Sequence, residues 1–222
     1  MRFVLVDLAL GGLLCVGCAL AQQAVPAPRE PHHHIVYEDG RVRILDVQIE
    51  PDGAALPHRH DANYVWVADT EIHFSRAGAS HVERNREVMV ELLQPPTGPR
   101  NVCAEVLPGE YLHCHEPGPE WLGANLQIQF ETDQMRIGIL QIAPNARLAV
   151  PPADVPPLLI PLEGTEAEAT SRVNGASTES ASRHVLKPAE VLRSPADRVS
   201  EVRNIGTGTA RFLVVEFGGA GE

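Results

Sequence analysis

The sequence predicts an all-β protein that contains two copies of one β-domain in tandem. Its 222 residues include 19 prolines and 18 glycines, which mark frequent turns between short Val/Ile/Leu runs, whereas long helical patterns are few. Residues 37–51 align without a gap with residues 130–144, at a constant offset of 93 and with six of fifteen positions identical. A repeat in which the apolar positions also largely correspond indicates that a whole domain has been duplicated.

The N-terminal segment is predicted to be a secretory signal and not part of the fold. Arg2 precedes an apolar run from Phe3 to Leu20, and the small residues that follow are typical of a cleavage site after Ala21. We therefore expect loss of residues 1–21 from a secreted or periplasmic protein whose mature chain has no membrane span. A lipid anchor on Cys18 is the alternative, and ordinary export is favoured because the residues before this cysteine depart from the usual lipoprotein pattern.

The first domain copy, residues 30–94, carries the candidate metal ligands. His58 and His60 are two residues apart, so in a β-strand their imidazoles lie on one face. His81 follows twenty-one residues after His60, and a third imidazole from a neighbouring strand would complete a metal-binding tripod. The alternative is that these histidines are polar groups of the domain interior. The run His32-His33-His34 is interpreted as a solvated linker that enters the first strand, with a metal-scavenging tract as its alternative.

The connection between the copies, residues 95–126, is rich in proline and glycine and holds Cys103 and Cys114. These are the two cysteines that remain after signal cleavage, and in an oxidising compartment such a pair is predicted to form a disulfide. A soft metal site at His113-Cys114-His115 would need a reduced cysteine, so export favours the disulfide.

The second copy, residues 127–218, lacks the candidate ligands. The constant offset places Pro151 and Ala153 at the positions of the first two histidines, and Ser200 stands in the place of the third. We therefore expect this half to be metal-free and structural, packing against the first half and covering its exposed sheet edges.

Two motifs in the first copy resemble those of the cupins. Gly53 precedes His58 and His60, and the later segment Gly78-Ala79-Ser80-His81 ends at Asn85. Cupins are jelly-roll (double-stranded β-helix) barrels that hold a metal inside the barrel mouth. The resemblance covers nearly the whole mature chain and implies two tandem cupin-type barrels, a bicupin.

The same resemblance implies a shortened first barrel. Twenty-one residues separate the second and third histidines of the first copy, whereas forty-seven separate Ala153 from Ser200. The first copy therefore lacks a hairpin between its motifs.

The resemblance also bears on the composition of the site. Cupins with a four-residue metal shell usually place a glutamate four or five residues after the second histidine, where this chain has Tyr64 or Val65. The site therefore resembles the three-histidine variant of thiol dioxygenase-like cupins, in which neutral imidazoles bind Fe, Mn, Ni, Cu or Zn and leave positions open for substrate or oxygen. Tyr64, Glu83 and Asn85 are candidates for groups beside the ligands. Glu83 would share the face of His81 in a regular strand, so the alternative is that it lends a carboxylate to the site.

Three functions then compete: a metal-dependent, dioxygenase-like oxidoreductase, a non-enzymatic bicupin that binds a small molecule, and a structural bicupin. The net charge of −11 argues against nucleic acid or an anionic membrane surface as a partner, because either would favour clustered Lys and Arg. Since cupins commonly dimerise by sheet packing, the resemblance also implies a homodimer.

Overall fold

The computed structural model describes residues 24–68, 71–94, 126–132, 134–150, 153–173, 175–177, 181–194 and 197–218. Within these ranges the chain forms seventeen β-strands and one single-turn 3-10 helix, so the all-β prediction is confirmed. None of the helical structure in these ranges is long and apolar enough to cross a membrane.

The first half forms a five-stranded sheet in the order β2-β3-β8-β5-β6 and a three-stranded sheet in the order β1-β4-β7. The 3-10 helix (Ala27–Arg29) connects the two sheets between β1 and β2. The strands are β1 (Val25–Pro26), β2 (His33–Glu38), β3 (Val42–Val47), β4 (His58–Arg59), β5 (Asn63–Ala68), β6 (Glu71–Ser75), β7 (Ser80–His81) and β8 (Glu87–Leu92).

The second half forms a five-stranded sheet in the order β15-β12-β17-β10-β9 and a four-stranded sheet in the order β11-β16-β13-β14. The strands are β9 (Leu126–Glu131), β10 (Met135–Ile142), β11 (Arg147–Val150), β12 (Leu158–Pro161), β13 (Ala167–Val173), β14 (Ser182–Val185), β15 (Leu192–Arg193), β16 (Arg198–Asn204) and β17 (Ala210–Phe217).

The two halves share one strand order, as a duplication requires. The run β2-β3-β8-β5 of the first large sheet corresponds to β9-β10-β17-β12 of the second. Only β6 lies between β5 and β7, whereas β13, β14 and β15 lie between β12 and β16. This arrangement is compatible with two tandem jelly-roll barrels, the first of them shorter. The domain limits stay a prediction, because most of the connection lies outside the described residues.

The large sheet of the first half is buried on both faces. One face packs against the second half, and the other faces the interior of the first half. Apolar residues at alternate positions of β3, β5 and β8 pack against the second half in one shared core, to which β9, β10, β12 and β17 also contribute. The intervening positions point into the first half, where Leu45, Tyr64 and Met89 belong to a smaller cluster. Side chains two apart in a strand share a face, so the period of two in the sequence produces both surfaces. The site lies on this inner side.

Candidate metal centre

The structure brings the three predicted histidines together. β4 and β7 pair antiparallel with His58 directly opposite His81, and the centroids of these two rings are 4.5 Å apart. His60 follows β4, and its ring centroid lies 5.4 Å from that of His58 and 5.2 Å from that of His81. The side chains of His58 and His60 are fully buried. The His81 side chain is 28% exposed, so it forms the solvent side of the cluster.

Glu83 places a carboxylate among the three imidazoles. Its Oε1 lies 2.6 Å from Nε2 of His81, 3.0 Å from Nε2 of His58 and 4.0 Å from Nε2 of His60. One atom from each of these four residues forms a group in which all members lie within 4.8 Å of one another. Glu83 is thus among the candidate ligand atoms, as its shared strand face with His81 allowed, and it lies in a segment other than the one in which cupins usually carry their glutamate.

The outer nitrogens of the buried rings contact acceptors, which fixes the tautomer of each neutral ring. Nδ1 of His58 donates to the carbonyl of Leu56 at 2.8 Å, and Nδ1 of His60 donates to Glu91 Oε1 at 2.7 Å. In a neutral ring Nε2 is then an acceptor and faces the oxygens of Glu83, which are acceptors too. A proton or a cation must therefore lie between these atoms.

Two buried side-chain atoms of these four residues have no hydrogen-bond partner. Nε2 of His60 and Oε2 of Glu83 are both buried without a partner, although buried polar atoms are satisfied in the great majority of cases. Three imidazole nitrogens and one carboxylate oxygen form a donor set that suits divalent transition metals. The residues present therefore fit a resident metal ion.

Glu91 and Arg43 form an ion pair that contacts the outer nitrogen of His60. The Glu91 side chain is 1% exposed, and its Oε2 accepts from Arg43 Nη1 at 2.6 Å. Burial alone would raise the pKa of Glu91, but His60 and Arg43 hold this pKa below its ordinary value, so the carboxylate is ionised and accepts from His60. A carboxylate on the outer nitrogen of a ligating histidine orients the ring and makes it a stronger ligand.

The second half repeats the ion pair without the histidine. Arg43 and Glu91 are register partners in the first half, and Arg136 and Glu216 occupy the corresponding register positions in the second, where they also form an ion pair. Ala153 stands where His60 would be. The Arg–Glu pair is therefore a shared feature of both halves, and the first half adds the histidines to it.

Two tyrosine contacts close the inner wall of the cluster. The Tyr64 ring stacks on His60 with centroids 3.9 Å apart, and its hydroxyl lies 3.3 Å from Nε2 of His81. Burial raises the pKa of Tyr64 to about 12, so it is a neutral phenol at physiological pH. Asn85, by contrast, is exposed and lines a cavity with Arg86 and Glu163. Among the described residues no hydrogen bond joins it to the three histidines.

The interpretation of His32-His33-His34 as a solvated linker is wrong for its middle residue. His33 begins β2 and is buried, whereas His34 is exposed. The centroid of the His33 ring lies 4.4 Å from that of His58, in an edge-to-face arrangement. The sequence carried one signal for this: in a strand only alternate members of a histidine run can face the interior.

The second half has no comparable cluster within the residues described. Ser200, at the position of the third histidine, is buried and accepts a hydrogen bond from Ser194 Oγ at 2.9 Å. Pro151 is outside the described residues. Cys103 and Cys114 and the signal segment 1–21 also lie outside them, so the disulfide and export stay predictions.

Burial and ionic contacts act in opposite directions on the histidines and Glu83. Burial lowers the pKa of His58 and of His60, but the hydrogen bond of His58 with Glu83, the hydrogen bond of His60 with Glu91 and the negative charge of these carboxylates raise both above the ordinary 6.5. Burial raises the pKa of Glu83, but the surrounding imidazoles outweigh it and hold this pKa far below the ordinary range. Glu83 is therefore ionised, and in the absence of metal it favours the protonated forms of His58 and His60.

Comparison with known proteins finds similarity to solved structures alone. No protein-family model matches the sequence, and no curated protein is significantly similar to it. Among solved structures, AerE from Microcystis aeruginosa has a TM-score of 0.46 at 10% identity, over 85% of this chain and 98% of AerE. A cupin domain from Bordetella pertussis has a TM-score of 0.33 at 14% identity, over 45% of this chain and 98% of that domain. A cupin superfamily protein from Desulfitobacterium hafniense has a TM-score of 0.30 at 18% identity, over 41% of this chain and 74% of that protein. Cupin-domain structures are thus among those similar to this chain.

Proposed function

We propose that this chain binds one divalent transition-metal ion through Nε2 of His58, His60 and His81 and a carboxylate oxygen of Glu83. The observation that carries the proposal is the convergence of these acceptor atoms within 4.8 Å of one another, with Nε2 of His60 and Oε2 of Glu83 buried and unpartnered. The donor set is compatible with Fe, Mn, Ni, Cu or Zn.

The finer proposal is a dioxygenase-like oxidoreductase, exported as the sequence predicts. A bound ion would supply Lewis acidity and, for a redox-active metal, electron transfer to oxygen. The chain supplies the surroundings: Leu56 and Glu91 orient two of the rings, and Tyr64 covers the inner side of His60. The partly exposed His81 marks the side from which a small substrate would enter.

Oxygen uptake by the metal-loaded protein tests the oxidoreductase proposal. The protein would be loaded with each of the five metals and mixed with small thiols and diols, with a chelated sample as control. We expect uptake that saturates with substrate for at least one metal, and its loss after chelation. A protein that retains its metal and consumes no oxygen with any substrate would contradict enzymatic activity and leave metal binding intact.

Metal affinity is expected to fall as the pH is lowered from about 8 to 5. The raised pKa values of His58 and His60 mean that protons compete for Nε2 already above pH 6.5, and each protonated ring weakens binding by about tenfold per pH unit. Affinity therefore reaches its plateau only above the raised pKa values. Competition titrations with a chromophoric chelator across this range would measure the effect, and an affinity independent of pH would contradict it.

A binding function without metal is supported by a separate observation. A cavity of about 460 Å³ lies where the two halves meet, lined on one side by Asp46 and Arg86 and on the other by Glu163 and Arg211. Its volume lies within the range of small-molecule sites. Saturable binding of an organic acid or sugar by metal-free protein, lost in Arg86→Ala, would favour this function, and binding unchanged by that substitution would argue against this cavity.

A further inference from the structure

We propose that His33 is a fourth imidazole ligand of the metal site, so that the site has five protein donors, four histidines and Glu83. The inference rests on the proposed metal binding and extends it to a residue outside both cupin-like motifs. It also limits the kind of molecule that the site can accept.

The atoms of His33 are arranged as in a ligand. Its side chain is fully buried, and its Nδ1 donates to the carbonyl of Ala27 at 3.0 Å, so Nε2 of the neutral ring is an acceptor. This Nε2 lies 3.6 Å from Oε2 of Glu83, and both atoms are buried without a hydrogen-bond partner. Two buried acceptors that face each other without a donor destabilise the site, and a shared cation would remove this cost.

All four imidazole rings have the same orientation relative to Glu83, with Nε2 towards its carboxylate and Nδ1 away from it. Each Nδ1 contacts an acceptor outside the cluster: the carbonyls of Ala27, Leu56 and Ala79 and the carboxylate of Glu91. Each Nε2 lies within 4.0 Å of a Glu83 oxygen, with Oε1 nearest to His58, His60 and His81 and Oε2 nearest to His33. The carboxylate therefore lies between His33 and the other three rings. Since His33 is not part of the compact group of four ligand atoms, we expect metal binding to draw its Nε2 inward.

A buried carboxylate fixes the segment that presents His33. Glu30 is 2% exposed, its Oε1 accepts from the backbone N–H of Leu56 at 3.0 Å, and its Oε2 accepts from that of His32 at 2.6 Å. The backbone N–H of His33 also donates to the carbonyl of Glu30 at 3.0 Å. Glu30 thus connects the strand that carries His33 to the residue whose carbonyl orients His58.

Five protein donors leave one exchangeable position in a six-coordinate shell. The site would then accept one small monodentate ligand at a time, such as oxygen, a small anion or a single thiolate, on the exposed side near His81. A thiolate and oxygen would compete for this position, and a diol could not chelate the metal unless a protein ligand dissociated. The inference therefore favours substrates that bind through one atom.

X-ray absorption spectroscopy of the zinc- and copper-loaded full chain tests this inference, because multiple scattering from imidazole rings reports how many histidines bind the metal. The variant is His33→Gln, and the matched control is His34→Gln, which changes the exposed neighbour in the same strand. We expect about four imidazoles in the parent and the control and about three in His33→Gln, together with metal binding weakened at least about tenfold in that variant.

Each outcome separates the two proposals. Three imidazoles in the parent, with a spectrum and affinity unchanged in His33→Gln, would overturn the role of His33 and leave the metal site standing. No metal in the parent after reconstitution would overturn the metal site and the role of His33 with it. If His33→Gln does not fold, the imidazole count of the parent alone decides between four and three.

Discussion

Replacing Glu83 with glutamine is expected to lower the affinity for a divalent transition metal by about 100-fold or more. The substitution preserves the shape of the side chain but removes the only carboxylate among the proposed ligand atoms, and even residues that merely orient metal ligands contribute about 10–100-fold to affinity. Metal-free Glu83→Gln should also show lower pKa values for His58 and His60, because Glu83 raises both. Chelator competition and NMR titration of the imidazoles measure the two effects.

The matched control for this variant is Glu87→Gln. Glu87 is a nearby carboxyl whose pKa is raised to about 7 by burial and by the charge of Glu83, and it is not one of the proposed ligands. We expect less than about a tenfold change in affinity in this control. The comparison is made at pH 8, where Glu87 is mostly ionised, and equal losses in the two variants would show that the site responds to net charge and not to a carboxylate ligand.

Replacing Glu91 with alanine is expected to lower the free energy of unfolding by about 3 kcal/mol, because it leaves the buried ring of His60 without its partner and removes the buried one of the two carboxylates that pair with Arg43. Both contacts are short, at 2.6 Å and 2.7 Å. The effect should shrink in acid, since the depressed pKa of Glu91 means that its stabilisation is present above the unfolded pKa and is lost as the pH falls through the folded value. Urea denaturation of metal-free protein at pH 7 and at pH 4 would measure both the loss and its sign.

Two control variants isolate the role of Glu91. Glu38→Ala removes the exposed second partner of Arg43 and should leave the denaturation midpoint unchanged. Glu216→Ala breaks the corresponding ion pair of the second half and should destabilise the protein without affecting metal affinity, whereas Glu91→Ala should weaken metal binding by about 10–100-fold. Identical metal affinity in Glu91→Ala and Glu216→Ala would contradict a role for Glu91 in orienting His60.

The internal repeat predicts the all-β fold in two halves, and the spacing of the histidines predicts the centre of the site. Side chains alternate in strands, so His58 and His60 share a face, and the antiparallel pairing of two short strands places His81 opposite the first of them. The two carboxylates were harder to predict because neither occupies the position that the cupin pattern assigns to glutamate. Glu83 lies in the segment after β7, and Glu91 lies between Arg43 of β3 and Tyr64 of β5, its register partners in the folded sheet.

The burial of His33 could not be predicted from the composition of the segment that contains it. A histidine run after a proline has the composition of a solvated segment, but pairing of β2 with β3 turns its middle member inward. The constant offset of 93 places Leu126 at the corresponding position of the second half, where it belongs to an apolar core. A position that is apolar in the copy without ligands and histidine in the copy with them indicates an inward-facing residue, and this comparison could have identified His33 from sequence.

Elemental analysis of the predicted mature protein, from Gln22 onward and purified without an affinity tag, tests the central claim most directly. The parent would be compared with a His58→Ala/His60→Ala variant and with His184→Ala, a control that removes a half-exposed histidine of the second half. The account predicts about one transition-metal ion per chain in the parent and the control and none in the double variant. Absence of metal from the parent after reconstitution, or equal metal in all three proteins, would contradict it.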